Sequence, residues 1–193
     1  MELRLDWLPA GSIGEALRAL GGIGVPKVAT VMPTSTFGRF QGSGEERARL
    51  LVEAAEYADY VDIGIEMGDG LVARCLGGIE GKGARPVVSW HSERMLGADE
   101  IVKFMEPLPV EAVCKVVMPA RGPGDNLLAL EACASLGGRR RIVFCHGRLG
   151  VISRVLCPLF GSEWAYASAA VGREGAPGQL DVATMRRLYE VLA

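Results

Sequence analysis

Histidine is scarce in this chain of 193 residues: His91 and His146 are the only two. So thin an imidazole supply argues against a histidine-rich metal centre. The five cysteines, at 75, 114, 133, 145 and 157, form no Cys-x-x-Cys pair and are odd in number. That speaks against a zinc site or a disulfide framework and fits reduced thiols in a cytoplasm. No apolar run reaches the roughly 18 residues of a membrane span. The opening MELRLDWLPA carries acidic residues and no long apolar core, so it does not read as a signal peptide. Net charge is −2, without the basic footprint of a nucleic-acid binder. The nearest feature, Arg139, Arg140 and Arg141, precedes an apolar stretch and reads as a solvated turn entering a strand. No Gly-x-Gly-x-x-Gly follows a first strand, and no repeat or low-complexity segment interrupts the chain.

What is present is an ordinary globular balance, 49% hydrophobic and 23% charged, enough for one core and one domain over 1–193. Seven short apolar runs, rich in Val and Ile, read as buried parallel strands: 2–7, 25–32, 59–66, 85–91, 110–118, 140–146 and 163–170. Helical spacing lies between them. Ser12 and Glu15 suggest a capping box, 45–57 is amphipathic, and 125–138 begins at Asp125 and ends in glycines. DVATMRRLYEVLA, 181–193, reads as a closing helix, and the Gly-rich stretch 68–82 as the weakest of the helices. Alternating strands and helices imply an α/β fold with a parallel sheet. An open doubly wound sheet and a closed (β/α)8 barrel both satisfy the pattern. Seven β/α units agree with a barrel of the TIM type if the first unit is absent from this chain, which opens inside a strand.

Several residues stand out chemically. Lys115 sits inside VEAVCKVVM. Desolvation there would favour a neutral, nucleophilic amine, unless the side chain snorkels to water. His91 ends VVSWH, at the strand end where barrel enzymes place catalytic groups, or it is simply a hydrogen-bonded strand-end histidine. Glu2, Arg4 and Asp6 share one strand face by their period of two, leaving Leu3, Leu5 and Trp7 for the opposite face. Arg154, in GVISR, is suited to forking onto a carboxylate, or is a surface arginine. The loop VGREGAPGQ, 171–179, has the composition of a lid, of a phosphate loop or of plain turn chemistry.

Taken in order, ELRLD, SWHS, CKVVMP, GVISR, FGS and APGQ resemble the type I 3-dehydroquinate dehydratases along essentially the whole chain. DYVDIGIE resembles that family's strand four and FGRFQG the loop after its strand three. The resemblance implies a (β/α)8 barrel that dehydrates 3-dehydroquinate to 3-dehydroshikimate in the shikimate pathway of aromatic amino-acid biosynthesis. It implies a cytoplasmic homodimeric lyase that uses neither metal nor organic cofactor and binds neither nucleic acid nor membrane. It assigns the imine-forming lysine to Lys115 and the general acid/base to His91. Arg154 would bind the substrate carboxylate, Gln179 would close over the substrate, and Glu2 and Arg4 would contact its hydroxyls.

The departures from the family pattern are as informative. The family's strand four has Asp-x-Glu, its glutamate orienting the histidine. Here Asp62 is followed by Ile63 and Gly64, and Glu66, on the same strand face, is expected to take over. Met32 stands where an arginine is common, with Arg39 as a replacement. His146 stands where bacterial members carry methionine, and Gly175 where many carry a lid serine. Two other readings stay open: an aldolase-like enzyme using Lys115 on another carbonyl substrate, and a non-catalytic barrel that binds a small acid.

Overall fold

The computed structural model describes residues 1–192, side chains at positions 10, 20 and 21 excepted. Two compact units divide the chain, Met1–Trp90 and His91–Ala193. Each is built from parallel strands alternating with helices, so the expected α/β class holds.

In the first unit β1 (Glu2–Arg4), β2 (Val28–Thr30) and β3 (Tyr60–Gly64) pair side by side, and β3 continues the sheet into β4 (Arg85–His91). All pairings are parallel, and the connections run through α1 (Ile13–Gly21), α2 (Gly44–Ala54) and α3 (Asp69–Ile79). The weak helix expected over 68–82 is therefore real, though shorter. Leu5, Leu17, Val31, Leu51, Ile63 and Ile79 form much of one buried cluster. α2 starts sharply because Ser43 accepts from the Glu46 N–H at 3.2 Å while Glu46 accepts from the Ser43 N–H at 2.7 Å. Ser12 does not repeat that device: its hydroxyl donates to the Pro9 carbonyl at 2.9 Å, within a 3-10 turn ahead of α1.

In the second unit β5 (Val113–Pro119) and β6 (Arg141–His146) pair in parallel, Lys115 beside Ile142 and Val117 beside Phe144. The helices are α4 (Ala98–Met105), α5 (Pro123–Ser135), α6 (Val151–Leu156) and α7 (Val182–Leu192). Asp125 stops the N-terminus of α5 from fraying, as expected, accepting from Arg121 and Gly122 N–H groups at 2.6 and 3.0 Å. Asp181 does the same for α7 by accepting from Ala183 and Thr184. The last residue of the predicted closing helix, Ala193, lies outside the described residues.

Among the described residues there are six strands, not seven. The segment 163–170 makes one isolated bridge, Ser168 to Asp181. Its alanines at 165, 167, 169 and 170 have little β-propensity and offer no broad face to bury. Every strand but β4 is also shorter than its apolar run. β1 ends at Arg4 because residues 5–7 turn into a 3-10 helix, and β3 ends at Gly64 before a similar turn over 65–67.

Leu51 is fully buried at the centre of the first unit's cluster. Leu51→Ala is expected to cost about 2–5 kcal/mol, through lost transfer energy and an unfilled cavity. Urea denaturation followed by circular dichroism measures this.

Candidate active site

Lys115 lies midway along β5 between Cys114 and Val116, both without solvent exposure, and is itself only 3% exposed. The amine therefore does not snorkel to water. Its Nζ stands 4.7 Å from the centre of the Tyr166 ring. Arg154, on α6, is 2% exposed and lays its guanidinium 4.5 Å over the Phe144 ring. The Phe144 and Tyr166 rings are themselves 6.2 Å apart. The buried Lys115 amine and the buried Arg154 guanidinium thus each face one of two neighbouring rings, and for the guanidinium the negative ring face offsets part of the cost of leaving water.

Arg154 is aimed by a buried polar web. Asn126 on α5 donates to the Leu149 carbonyl at 2.7 Å and accepts from the Ser153 N–H at 2.9 Å. The Ser153 hydroxyl accepts from Cys145 N–H at 2.9 Å and donates to the Gly150 carbonyl at 3.1 Å. Gly150 is required at the turn into α6, since a Cβ there would lie 2.6 Å from the Cys145 carbonyl oxygen. α5, β6 and α6 are held as one piece, which fixes the backbone from which Arg154 projects.

His91 closes β4, and the next residue ties that strand end to β5: Ser92 N–H donates to the Val117 carbonyl at 2.9 Å. His146 closes β6 and pairs in register with Pro119. Burial lowers the His146 pKa from its ordinary value, and the positive charge of Arg154 adds to the effect. The loop 171–179 is docked on the same strand end. Gly147 N–H donates to the Pro177 carbonyl at 3.0 Å, and Gly178, at φ +78°, approaches Gly147 too closely for a side chain. Gln179 folds back inside this loop, its Oε1 accepting from Gly175 N–H at 2.7 Å. All five cysteines are free and buried. Desolvation pushes Cys114 and Cys157 up to about 12 and Cys145 to about 11. None of these three is poised as a thiolate nucleophile.

The first unit carries its polar residues as a row across the strands. Register aligns Arg4 with Thr30 and Thr30 with Asp62. Thr30 donates to Glu2 at 3.0 Å, and Ser89 donates to the buried Asp62 carboxylate at 2.5 Å. Arg4 binds Asp6 through two hydrogen bonds of 2.9 and 2.8 Å. Burial works against the Arg4 charge, yet the bonds and charge of Asp6, helped by Glu2 and Asp62, raise its pKa on balance. Asp6 is not on the strand face predicted for it: β1 has already ended, and the 3-10 turn swings the carboxylate back onto Arg4. Trp7 likewise is not packed under helices. It is 37% exposed, with the Arg4 and Arg39 guanidiniums 5.1 and 4.8 Å from its ring. Met32 is buried and contributes backbone, its carbonyl accepting from Phe40 N–H at 3.1 Å. Glu66 is not on the β3 face either, because the strand stops two residues earlier; its carboxylate accepts from buried Arg47 at 2.6 Å.

Sequence reasoning therefore picked out Lys115, His91, Arg154 and His146 within the second unit. It missed Tyr166 and Arg47. Tyr166 was hidden in an apparent strand, and Arg47 looked like one more charge on an amphipathic helix. The only signal for Tyr166 was an aromatic among alanines.

A buried lysine and a buried arginine lie in the second unit, with histidines ending β4 and β6, the strands on either side of β5 in a parallel α/β fold. The whole chain, residues 1–193, matches the family model for type I 3-dehydroquinase. The 3-dehydroquinate dehydratase of Methanothermobacter thermautotrophicus is 31% identical over 190 residues, covering 97% of this chain and 82% of that protein. That of Thermococcus onnurineus is 37% identical over 164 residues, covering 80% and 71%. Among solved structures, the type I 3-dehydroquinate dehydratase of Clostridium difficile, with covalently modified comenic acid, superposes with a TM-score of 0.86 at 23% identity, covering 99% of this chain and 80% of that one. The Geobacillus kaustophilus 3-dehydroquinate dehydratase gives 0.85 at 23% identity, covering 99% and 79%. The chain belongs to the type I 3-dehydroquinase family and is an enzyme of the hydro-lyase class.

His146 yields a pH prediction. Its folded pKa lies below the ordinary 6.5 of an unfolded histidine. In the interval between the two values the unfolded chain binds the extra proton, so stability is lost as pH falls through that interval. The urea midpoint should drop on acidification below about pH 6.5, and His146→Gln should remove that part of the slope. NMR titration of the imidazole gives the pKa directly.

Proposed function

We propose that this enzyme dehydrates 3-dehydroquinate to 3-dehydroshikimate, in the shikimate route to aromatic amino acids, through an imine on Lys115. The observation that carries the reading is the burial of Lys115 in an apolar strand, beside Tyr166 and in the same unit as His91 and Arg154. In this mechanism the neutral amine attacks the substrate ketone and water is expelled to form the protonated imine. That imine is an electron sink, so the adjacent C2 proton can leave to His91, generating an enamine. The enamine then pushes out the β-hydroxyl, which departs as water after taking a proton from His91. Hydrolysis of the imine frees the product and Lys115.

Arg154 is assigned to the substrate carboxylate, since a rigid guanidinium fork suits a planar anion. Glu2 and Arg4 are assigned to the substrate hydroxyls, and Gln179, with Gly175 in the same loop, to closure over the substrate. Asp62 and Glu66 serve as supporting carboxylates, and His146, disfavoured as a cation, as a neutral neighbour of Arg154. No cofactor enters this chemistry. The reading treats residues 1–193 as one functional domain. The full (β/α)8 barrel, a cytoplasmic location and a homodimer belong to the same proposal and rest on family membership.

Borohydride reduction of the protein in the presence of 3-dehydroquinate tests the reading. Peptide mass mapping should find one adduct, on Lys115, and Lys115→Met should abolish both adduct and turnover. His91→Gln should lower kcat by about 10²–10⁴-fold while still allowing slow trapping. Turnover undiminished in Lys115→Met would rule out imine catalysis at this residue. Trapping of a different ketone without any dehydration would favour an aldolase-like activity.

A further inference from the structure

β3 ends on a glycine whose missing side chain is replaced from elsewhere. A Cβ built on Gly64 would lie 2.2 and 2.3 Å from the two carboxylate oxygens of Glu66 and 2.6 Å from its carboxyl carbon. Atoms cannot approach so closely, so the Glu66 carboxylate occupies the space into which a residue-64 side chain would project. Gly64 has an ordinary extended backbone, φ −78° and ψ 132°. A glycine is thus needed there for space and not for conformation. The 3-10 turn over Ile65–Met67 folds Glu66 back toward the strand end.

A second residue holds it. Arg47 reaches from α2 and is only 4% exposed. Its Nε donates to the Val31 carbonyl at 2.6 Å, and its Nη1 donates to Glu66 Oε1 at 2.6 Å. The Val31 bond anchors the guanidinium to the backbone just past β2, so the fork has one orientation from which to grip the carboxylate. Removing a charged arginine from water is costly unless its partners are fixed. Here both partners, the Val31 carbonyl and the Glu66 carboxylate, are in place. The carboxyl ends of parallel strands are where α/β enzymes bind and transform their substrates.

We propose that Arg47, Gly64 and Glu66 form a carboxylate seat. The Glu66 carboxylate acts in the reaction as though it were carried by residue 64, and Arg47 is its positioning residue. The fixed negative charge accepts hydrogen bonds from, and stabilises, the hydroxyl and protonated groups that the dehydration brings to this strand end. The role rests on the dehydratase reading given above.

The test is a set of purified full-length variants assayed for dehydration of 3-dehydroquinate, with Tm recorded for each. Glu66→Gln, which keeps shape but not charge, should lower kcat roughly 10-fold or more with KM changed far less and Tm nearly unchanged. Gly64→Ala, which expels the carboxylate, should reproduce that kcat loss. Arg47→Met should do likewise, and Arg47→Lys should recover part of it. Gly64→Asp combined with Glu66→Ala restores a carboxylate to the seat, because the Asp carboxyl carbon is one bond from Cβ. It should regain kcat above both Glu66→Gln and Gly64→Ala. Wild-type turnover with an unaltered kcat in Glu66→Gln would overturn the seat alone. So would a relocated double variant that folds with native Tm yet stays as slow as Gly64→Ala. An absence of turnover in the wild type would instead overturn the dehydratase reading, and this role with it.

Discussion

A primary amine with almost no contact with water, held mid-strand against a tyrosine ring, is the constraint around which the second unit is organised. Lys115 occupies a position on β5 where its strand neighbours are wholly buried. A polar group at such a place is destabilising unless something answers it. The ring faces of Tyr166 and Phe144 answer Lys115 and Arg154 respectively. The web through Asn126, Ser153 and Gly150 fixes the backbone of α6 from which Arg154 projects. The lysine is therefore poorly solvated, and the arginine is buried on a fixed helix. Those are the properties that imine chemistry and carboxylate binding require.

The first unit solves a different problem with hydrogen bonds. Its strands carry polar groups on the row Arg4, Thr30 and Asp62, and each is met within the unit by Glu2, Asp6 or Ser89. Fully partnered polar rows of this kind are rigid, because breaking any member leaves its neighbour buried and unsatisfied. Arg47 belongs to the same economy of paired charges, but its purpose is served at the strand end. It converts the absence of a side chain at Gly64 into a defined place for Glu66.

Period-two and helical spacing were enough to find all six strands of the described residues and most helices, since buried parallel strands announce themselves as Val- and Ile-rich runs. They failed where a run was apolar for another reason. The segment 163–170 reads as a strand because alanines and aromatics count as hydrophobic, yet it makes a single bridge and serves to deliver Tyr166. Strand ends were overestimated at Asp6, Trp7 and Glu66, because 3-10 turns there depend on contacts with other segments: Asp6 also accepts from the Arg39 N–H, and Glu66 from Arg47. The cap at Asp125 was local chemistry and showed more plainly, whereas the capping box expected at Ser12 lies instead at Ser43.

The linear chain by itself determined the α/β class, the identity of Lys115, His91 and Arg154 as the residues of interest, and the family through six short motifs in order. Each of these depends on residue type and spacing, which need no folded partner to be read. Only the tertiary structure decided that Lys115 is sealed from water, that the Tyr166 and Phe144 rings face Lys115 and Arg154, and that the carboxylate of Glu66 stands in the space left by Gly64. These are facts about distance between residues far apart in sequence or on opposite sides of a turn. They arise from packing and pairing, for which the one-dimensional pattern carries no term.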